Sequence, residues 1–127
     1  MTPFGQRVRS LRTQRGVTLA HMAEALGVTP AYLSALEHGK RGRPTFTLIQ
    51  GVIHVLGVIW DEADELVRLA DLSHPRVTVD TAGLDPEATL FANRLSREIG
   101  NLEPDDLSRL TGILDGAARR AGDGRSA

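Results

Sequence analysis

Two short helix signals in close succession constrain the fold of this 127-residue chain more than any other feature. Thr18 is a favourable N-cap for a helix over Leu19–Leu26, and Gly27 follows where a helix commonly ends. Thr29 is a second N-cap, and the proline after it suits the first position of a helix predicted over residues 30–38. Two helices this short must pack on each other and on further helices to be stable. The pattern therefore predicts a small all-helical domain.

Hydrophobic periodicity extends this prediction along the chain. Five helices are expected in a domain over residues 1–72, at 4–15, 19–26, 30–38, 46–56 and 61–72. Trp60, the one tryptophan, is predicted to anchor the core between the fourth and fifth helices, and Phe46 is the first apolar residue of the fourth helix. Residues 73–84 contain a proline and alternate in polarity, which indicates an extended linker or a short strand.

Two amphipathic helices are predicted after the linker, at 85–99 and 103–121, before a frayed, disordered tail at 122–127. Two helices cannot bury both of their apolar stripes against each other, so region 85–121 is predicted to support oligomerisation. The alternatives are a docking surface for another protein and a simple enlargement of the core. The stripe residues assigned to dimerisation are Leu90, Phe91, Leu95, Ile99, Leu107, Leu110, Ile113 and Leu114.

Composition excludes several classes of protein. The chain has no cysteine, so it has neither disulfides nor thiolate metal sites. The N-terminus lacks the apolar segment of a signal peptide, and no apolar run approaches the roughly 20 residues of a membrane helix. We therefore expect a cytoplasmic protein with no membrane partner.

The net charge of −1 conceals an uneven distribution. Residues 1–45 carry seven Lys and Arg against two acids, whereas residues 46–127 carry eight Arg against fourteen acids. Such a split predicts a basic face toward a polyanion and an acidic remainder that favours solubility.

No arrangement of side chains indicates an enzyme or a cofactor. The four histidines are scattered, and although His21 and Glu24 are three residues apart, no third metal ligand accompanies them. The acidic run at 61–65 is explained by the N-terminus of a helix, and no phosphate-binding glycine loop or nucleophile motif is present.

The tight turn at Gly27-Val28, between two helices with apolar inner faces, meets the requirements of a helix-turn-helix. Residues 4–58 resemble the five-helix domain of the Cro/repressor (XRE) family. The residues that carry the resemblance are Arg12, Gly16, the run 18–28, the run 32–40 with its Leu36-Glu37-His38-Gly39-Lys40 ending, Pro44 and Leu48.

The resemblance implies a sequence-specific regulator of transcription that binds double-stranded DNA as a homodimer and acts as a repressor. When bound to DNA, it would be associated with the nucleoid. A competing interpretation is an antitoxin or adaptor, in which this domain serves autoregulation and the C-terminal helices bind a protein partner. The third helix would enter the major groove, and helix N-termini and the following loop would contact phosphates. The implied DNA-binding residues are Thr18, Thr29, Pro30, Ala31, Tyr32, Ser34, Ala35, His38, Lys40, Arg41 and Arg43.

Few of these side chains can read bases directly. Leu19, Pro30 and Ala31 stand where better-known family members often carry glutamine, which leaves the hydroxyls of Ser34 and Thr29 and methyl contacts to thymine. DNA shape and an arginine such as Arg43, entering the minor groove, would then contribute to specificity.

The resemblance also implies a structural role for Arg12 and Glu37. The matching residues of the family form a partly buried ion pair that joins the first helix to the third. We therefore expect Arg12 to stabilise the domain rather than to contact DNA.

Overall fold

A computed structural model describes residues 1–126, with side chains as far as residue 124. The chain forms two compact units, unit 1 (Met1–Thr78) and unit 2 (from Val79 onward), and each is described by itself. Unit 1 contains α1 Pro3–Arg15, α2 Leu19–Leu26, α3 Pro30–Glu37, α4 Phe46–Leu56 and α5 Asp61–Asp71. Unit 2 contains α6 Pro86–Glu98, a 3₁₀ turn Ile99–Asn101 and α7 Pro104–Ser126. Residues 1–126 contain no strand, so the all-α prediction is confirmed and the strand alternative for the linker is wrong.

The first four helices start in the same way. The hydroxyls of Thr2, Thr18, Thr29 and Thr45 each accept a hydrogen bond from the backbone N–H three residues later, at 3.0–3.2 Å. An N-cap of this kind contributes about 1 kcal/mol because it satisfies a donor that the helix leaves unpaired. This local chemistry explains why the predicted starts of α2, α3 and α4 agree with the structure.

The core of unit 1 lies between its five helices, with α1 against α3, α4 and α5, and α2 against α3 and α4. Because α2 and α3 have only eight residues each, packing rather than helix propensity holds them. The buried apolar residues are Phe4, Val8, Leu11, Met22, Ala23, Leu33, Leu36, Leu48, Ile49, Val52, Leu56, Val58, Leu66 and Ala70.

Trp60 does not anchor this core, and the prediction that it would is wrong. Trp60 is 80% exposed and has φ 55°, a backbone conformation that bulky residues rarely adopt. The core residue of the connection between α4 and α5 is Val58. Periodicity could not identify it, since the connection is not helical. Phe46 is also exposed, because it occupies the first position of α4, ahead of the buried stripe that starts at Leu48.

The start of α1 and the end of α3 approach each other closely. The backbone N–H of Thr2 donates to the carbonyl oxygen of Glu37 at 3.1 Å. A Cβ atom on Gly5 would lie 2.0 Å from that same oxygen, so only glycine fits at this crossing. Gly5 therefore sets how near α1 lies to α3.

An ion pair joins the same two helices. The Nε and Nη2 atoms of Arg12 donate to the carboxylate of Glu37 at 3.1–3.2 Å, and both side chains are buried. Arg12 also contacts the carbonyl oxygen of Val17, at 3.5 Å, in the connection to α2. The pair that the family resemblance implied is present in the structure.

Unit 1 extends beyond residue 72, where the sequence placed its end. Ser73 is buried, and its hydroxyl accepts a hydrogen bond from the backbone N–H of Phe4 at 2.9 Å while donating to the carbonyl oxygen of Leu69. In the sequence, Ser73 looks like the first residue of a linker, because it is polar and follows a helix. Its hydrogen-bond partner, Phe4, lies 69 positions earlier, so no local pattern shows that Ser73 is buried. The predicted linker at 73–84 therefore begins inside the domain.

Unit 2 buries little of its own surface. None of residues 79–124 is buried, and of the stripe residues only Leu95 and Leu110 are half-buried. Helix α7 continues through residues 122–126, so the prediction of a frayed tail there is wrong; Ala127 lies outside the described residues. Neither Gly122 nor Gly124 has the positive φ that ends a helix, and no proline interrupts the run.

Glu37→Ala should destabilise unit 1 by about 3–5 kcal/mol, because it leaves the buried Arg12 charge without its partner. Glu62→Ala is the matched control, since Glu62 makes only exposed ion pairs at 3.8 Å with Arg7 and Arg15. That control should change stability by less than about 1 kcal/mol. Chemical denaturation followed by circular dichroism measures both variants. Equal midpoints for Glu37→Ala and the parent chain would contradict the structural role of the pair.

Candidate nucleic-acid interface

The turn between α2 and α3 sets the outward face of α3. Gly27 adopts φ 71°, and the N–H of Val28 donates back to the carbonyl oxygen of Ala23 at 3.0 Å, which closes α2 tightly. The inner side of α3 is fixed by Leu33 and Leu36 in the core. The opposite side of α3 therefore faces outward and is available to a ligand.

The side chains on this outward face are small and weakly polar. Thr29, Pro30 and Ala31 are exposed at the start of α3, and Ser34 and Ala35 are half-buried one turn later. Small residues allow close approach of the helix backbone to a flat or grooved partner. The structure thus brings together five of the residues that the sequence assigned to base contacts.

The two threonines of the predicted interface already act as N-caps. The hydroxyl oxygens of Thr18 and Thr29 accept from the backbone N–H groups of His21 and Tyr32, both at 3.0 Å. A hydroxyl has one donor and two acceptor positions, so each threonine still has a proton to donate. Such a donor suits a phosphate oxygen or a base acceptor.

The side chain of His38 contacts the backbone of Ser34. The Nδ1 atom of His38 lies 2.8 Å from the carbonyl oxygen of Ser34, so Nδ1 carries the proton and Nε2 faces away from that bond. Among the described residues, the Ser34 hydroxyl makes no hydrogen bond. It is the one polar side-chain group on the middle of the outward face.

The cationic loop after α3 has a defined conformation. The N–H of Lys40 donates to the carbonyl oxygen of Ala35 at 2.9 Å, and the guanidinium of Arg41 lies 5.6 Å from the centre of the Tyr32 ring. Arg43 is not extended into solvent: it pairs with Asp71 of α5 and donates to the Pro44 carbonyl oxygen at 3.0 Å. Lys40, Arg41 and Arg43 therefore differ in how readily they can reach a phosphate.

The basic character of residues 1–45 is partly neutralised within the fold. Arg12 is buried with Glu37, and Arg7 and Arg15 pair with Glu62 at 3.8 Å. The sequence sum already included Glu37 but assigned Glu62 to a separate acidic remainder. Helix α5, which carries Glu62, packs on α1, so the charge of the candidate interface is smaller than the sequence sum suggests.

The structure contains a cleft beside α3 that the sequence did not predict. It has a volume of about 580 Å³ and is lined by Thr29 and Tyr32 on one side and by Thr45 and Thr47 at the start of α4 on the other, with an apolar floor that includes Leu26. The predicted N-cap at Thr45 was the only available signal for it, because the cleft forms between residues about 20 positions apart. Thr45 and Thr47 therefore extend the surface of hydroxyl groups next to α3.

Within the described part of the chain, no group of three or more His, Asp or Glu side chains is placed to hold a metal ion. The helices found there include none with the length and apolar character that crossing a bilayer requires.

Comparison with known proteins agrees with this geometry. The chain is 39% identical over 61 residues to the uncharacterised HTH-type transcriptional regulator RghRB of Bacillus subtilis (strain 168), covering 48% of the chain and 44% of the relative. It is 34% identical over 66 residues to the HTH-type transcriptional regulator SinR of Bacillus licheniformis, covering 49% of the chain and 60% of the relative. The chain thus spans about half the length of these relatives.

Among solved structures, the clp gene regulator ClgR from Corynebacterium glutamicum is 29% identical, with a TM-score of 0.48 and coverage of 85% of each chain. Residues 3–72, which include all five helices of unit 1, match the family described as "Helix-turn-helix domain". This chain belongs to the helix-turn-helix family of transcriptional regulators, and its unit 1 is a domain of the Cro/repressor (XRE) type.

Proposed function

We propose that this protein binds double-stranded DNA at specific sites, with α3 in the major groove, and regulates transcription in the cytoplasm. The observation that carries the proposal is the outward face of α3, which is exposed, bordered by Lys40 and Arg41, and held rigidly from behind by the core. A helix so supported fits the major groove, which is about 12 Å wide.

Direct base contacts fall mainly to Ser34, with Thr29 and the methyl group of Ala31 at the start of the helix. The Ser34 hydroxyl is uncommitted among the described residues and can pair with either a donor or an acceptor of a base. Pro30 has no N–H and shapes the tip of α3 without reading sequence. With so few base readers, the shape of the DNA would supply part of the specificity.

Phosphate contacts fall to the N-termini of α2 and α3 and to the loop after α3. The Thr18 and Thr29 hydroxyls lie at those N-termini, where backbone N–H groups and the helix dipole attract anions. Arg41 rests on Tyr32, and this stacking orders a guanidinium that would otherwise move freely. His38 and Lys40, both exposed, are the remaining residues assigned to phosphate contacts, on the side of the loop.

We further propose that the protein represses transcription as a homodimer held by unit 2. Leu90, Phe91 and Ile99 of unit 2 are each more than half exposed, as are Ile113 and Leu114, an unusual set for a unit of 49 residues. A second copy would cover the same residues on both sides of a twofold axis. Dimerisation would also set the spacing of two DNA half-sites, which lie one helical turn apart in this class of protein.

A different protein partner is the second candidate, as in an antitoxin or adaptor. The observation that favours it is an apolar groove of about 460 Å³ within unit 2, lined by Leu90, Phe91, Leu95, Leu102 and Leu110. Glu87, Arg94 and Glu98 border this groove, and the hydrogen bond from Arg94 lowers the pKa of Glu98. An amphipathic helix of a partner would fit such a groove.

Selection of bound duplexes from a random pool tests the proposed DNA binding. We expect an enriched site with two symmetric half-sites about 34 Å apart, or a multiple of that distance. Ser34→Ala should then relax the preference at one base position in each half-site, while Ser10→Ala, an exposed serine of α1, should leave the site unchanged. A pool without any enrichment would overturn sequence-specific binding.

Arg41→Gln should weaken binding to all duplexes alike and lower the slope of log K against log salt concentration by about one, because one phosphate contact is lost. Arg94→Gln removes the same charge from unit 2, where Arg94 pairs with Glu98 at 2.8 Å, and serves as the control. Fluorescence anisotropy at several salt concentrations measures both slopes. Identical slopes for the two variants would remove Arg41 from the interface.

Phe91→Glu should convert a dimer into a monomer of 13.7 kDa in light scattering, because a charge would replace an apolar side chain at the proposed contact. Phe46→Glu, at a phenylalanine of unit 1 that is 72% exposed, should leave the dimer intact. A parent chain that is monomeric would contradict the homodimer and favour the second candidate.

A further inference from the structure

Arg43 and Asp71 form a partly exposed contact outside the hydrophobic core of unit 1. Both the Nε and the Nη2 atoms of Arg43 donate to one oxygen of Asp71, the Nε bond being 3.0 Å long. The two residues are 28 positions apart, and both side chains remain partly exposed at the surface. The contact links the cationic loop after α3 to the end of α5.

Asp71 is an unfavourable residue at its place in α5. It is the last residue of that helix, where unpaired carbonyl groups and the helix dipole repel a carboxylate. A residue that breaks a local rule without gain to its own helix often serves a function elsewhere. Here the compensation comes from Arg43.

The pair with Asp71 limits the number of N–H donors and the positive charge that Arg43 can present to DNA. A guanidinium has five N–H donors, and two of those of Arg43 are used by Asp71 and one by the Pro44 carbonyl oxygen. The carboxylate also cancels the positive charge that would attract a phosphate. A phosphate approaching Arg43 must therefore displace Asp71 or be repelled by it.

We infer that Asp71 regulates DNA affinity by competing with DNA for Arg43. This inference rests on the proposed DNA binding and adds a residue outside the helix-turn-helix to it. Asp71 acts through Arg43 and is not itself a contact to DNA. In the free protein the Asp71 pair holds Arg43, and in the complex a phosphate takes the place of the carboxylate.

The experiment measures the Kd of the full chain for a selected duplex at several salt concentrations. Because an exposed ion pair is weak, Asp71→Asn should bind about two- to fivefold more tightly than the parent chain. The salt slope should steepen by up to about one, since Arg43 becomes fully available to a phosphate. Asp64→Asn, which removes the same charge from the same helix, is the control and should change both quantities less.

A double-mutant comparison separates competition for Arg43 from a general effect of charge. In an Arg43→Gln background, Asp71→Asn should no longer tighten binding. Equal effects of Asp71→Asn with and without Arg43 would overturn the inference, as would weaker or unchanged binding by Asp71→Asn alone. A parent chain that binds no duplex would instead overturn the proposed function, and the inference with it.

Discussion

The crossing of α1 over the end of α3 is the constraint on which the remaining structure depends. Here the buried Arg12–Glu37 pair and the close backbone approach at Gly5 both involve one residue of α3, Glu37. The pair is directional, since two donors of one guanidinium meet one carboxylate, and the approach is steric. Together they fix both the distance and the rotation of α3. Residues on the α1 side of α3, which need not touch DNA, therefore determine which face of α3 points outward.

How much of this could be predicted from the sequence depended on the range of the interaction. Threonine N-caps act over three residues, so the starts of α2, α3 and α4 could be predicted from Thr18, Thr29 and Thr45. The Arg12–Glu37 pair spans 25 residues and was accessible only through the family resemblance. The contacts Ser73–Phe4 and Arg43–Asp71 have neither local signature nor motif, and the sequence missed both.

The distribution of charge shows the same limitation from another side. Summed along the chain, residues 1–45 are strongly basic. In the fold, however, acidic residues of α5 pair with arginines of α1 and of the loop after α3. Lys40 and Arg41 remain next to α3 without an acidic partner among the described residues. Moderate charge at this face suits a regulator that must leave non-specific DNA readily, because non-specific affinity rises with the number of phosphate contacts.

The exposed position of Trp60 has a practical consequence for the study of this protein in solution. An indole already in contact with water changes its emission little when the chain unfolds, so the single tryptophan is a poor reporter of folding. It is well suited instead to detect anything that covers the start of α5. A shift of its emission to shorter wavelength would reveal such contact without any label.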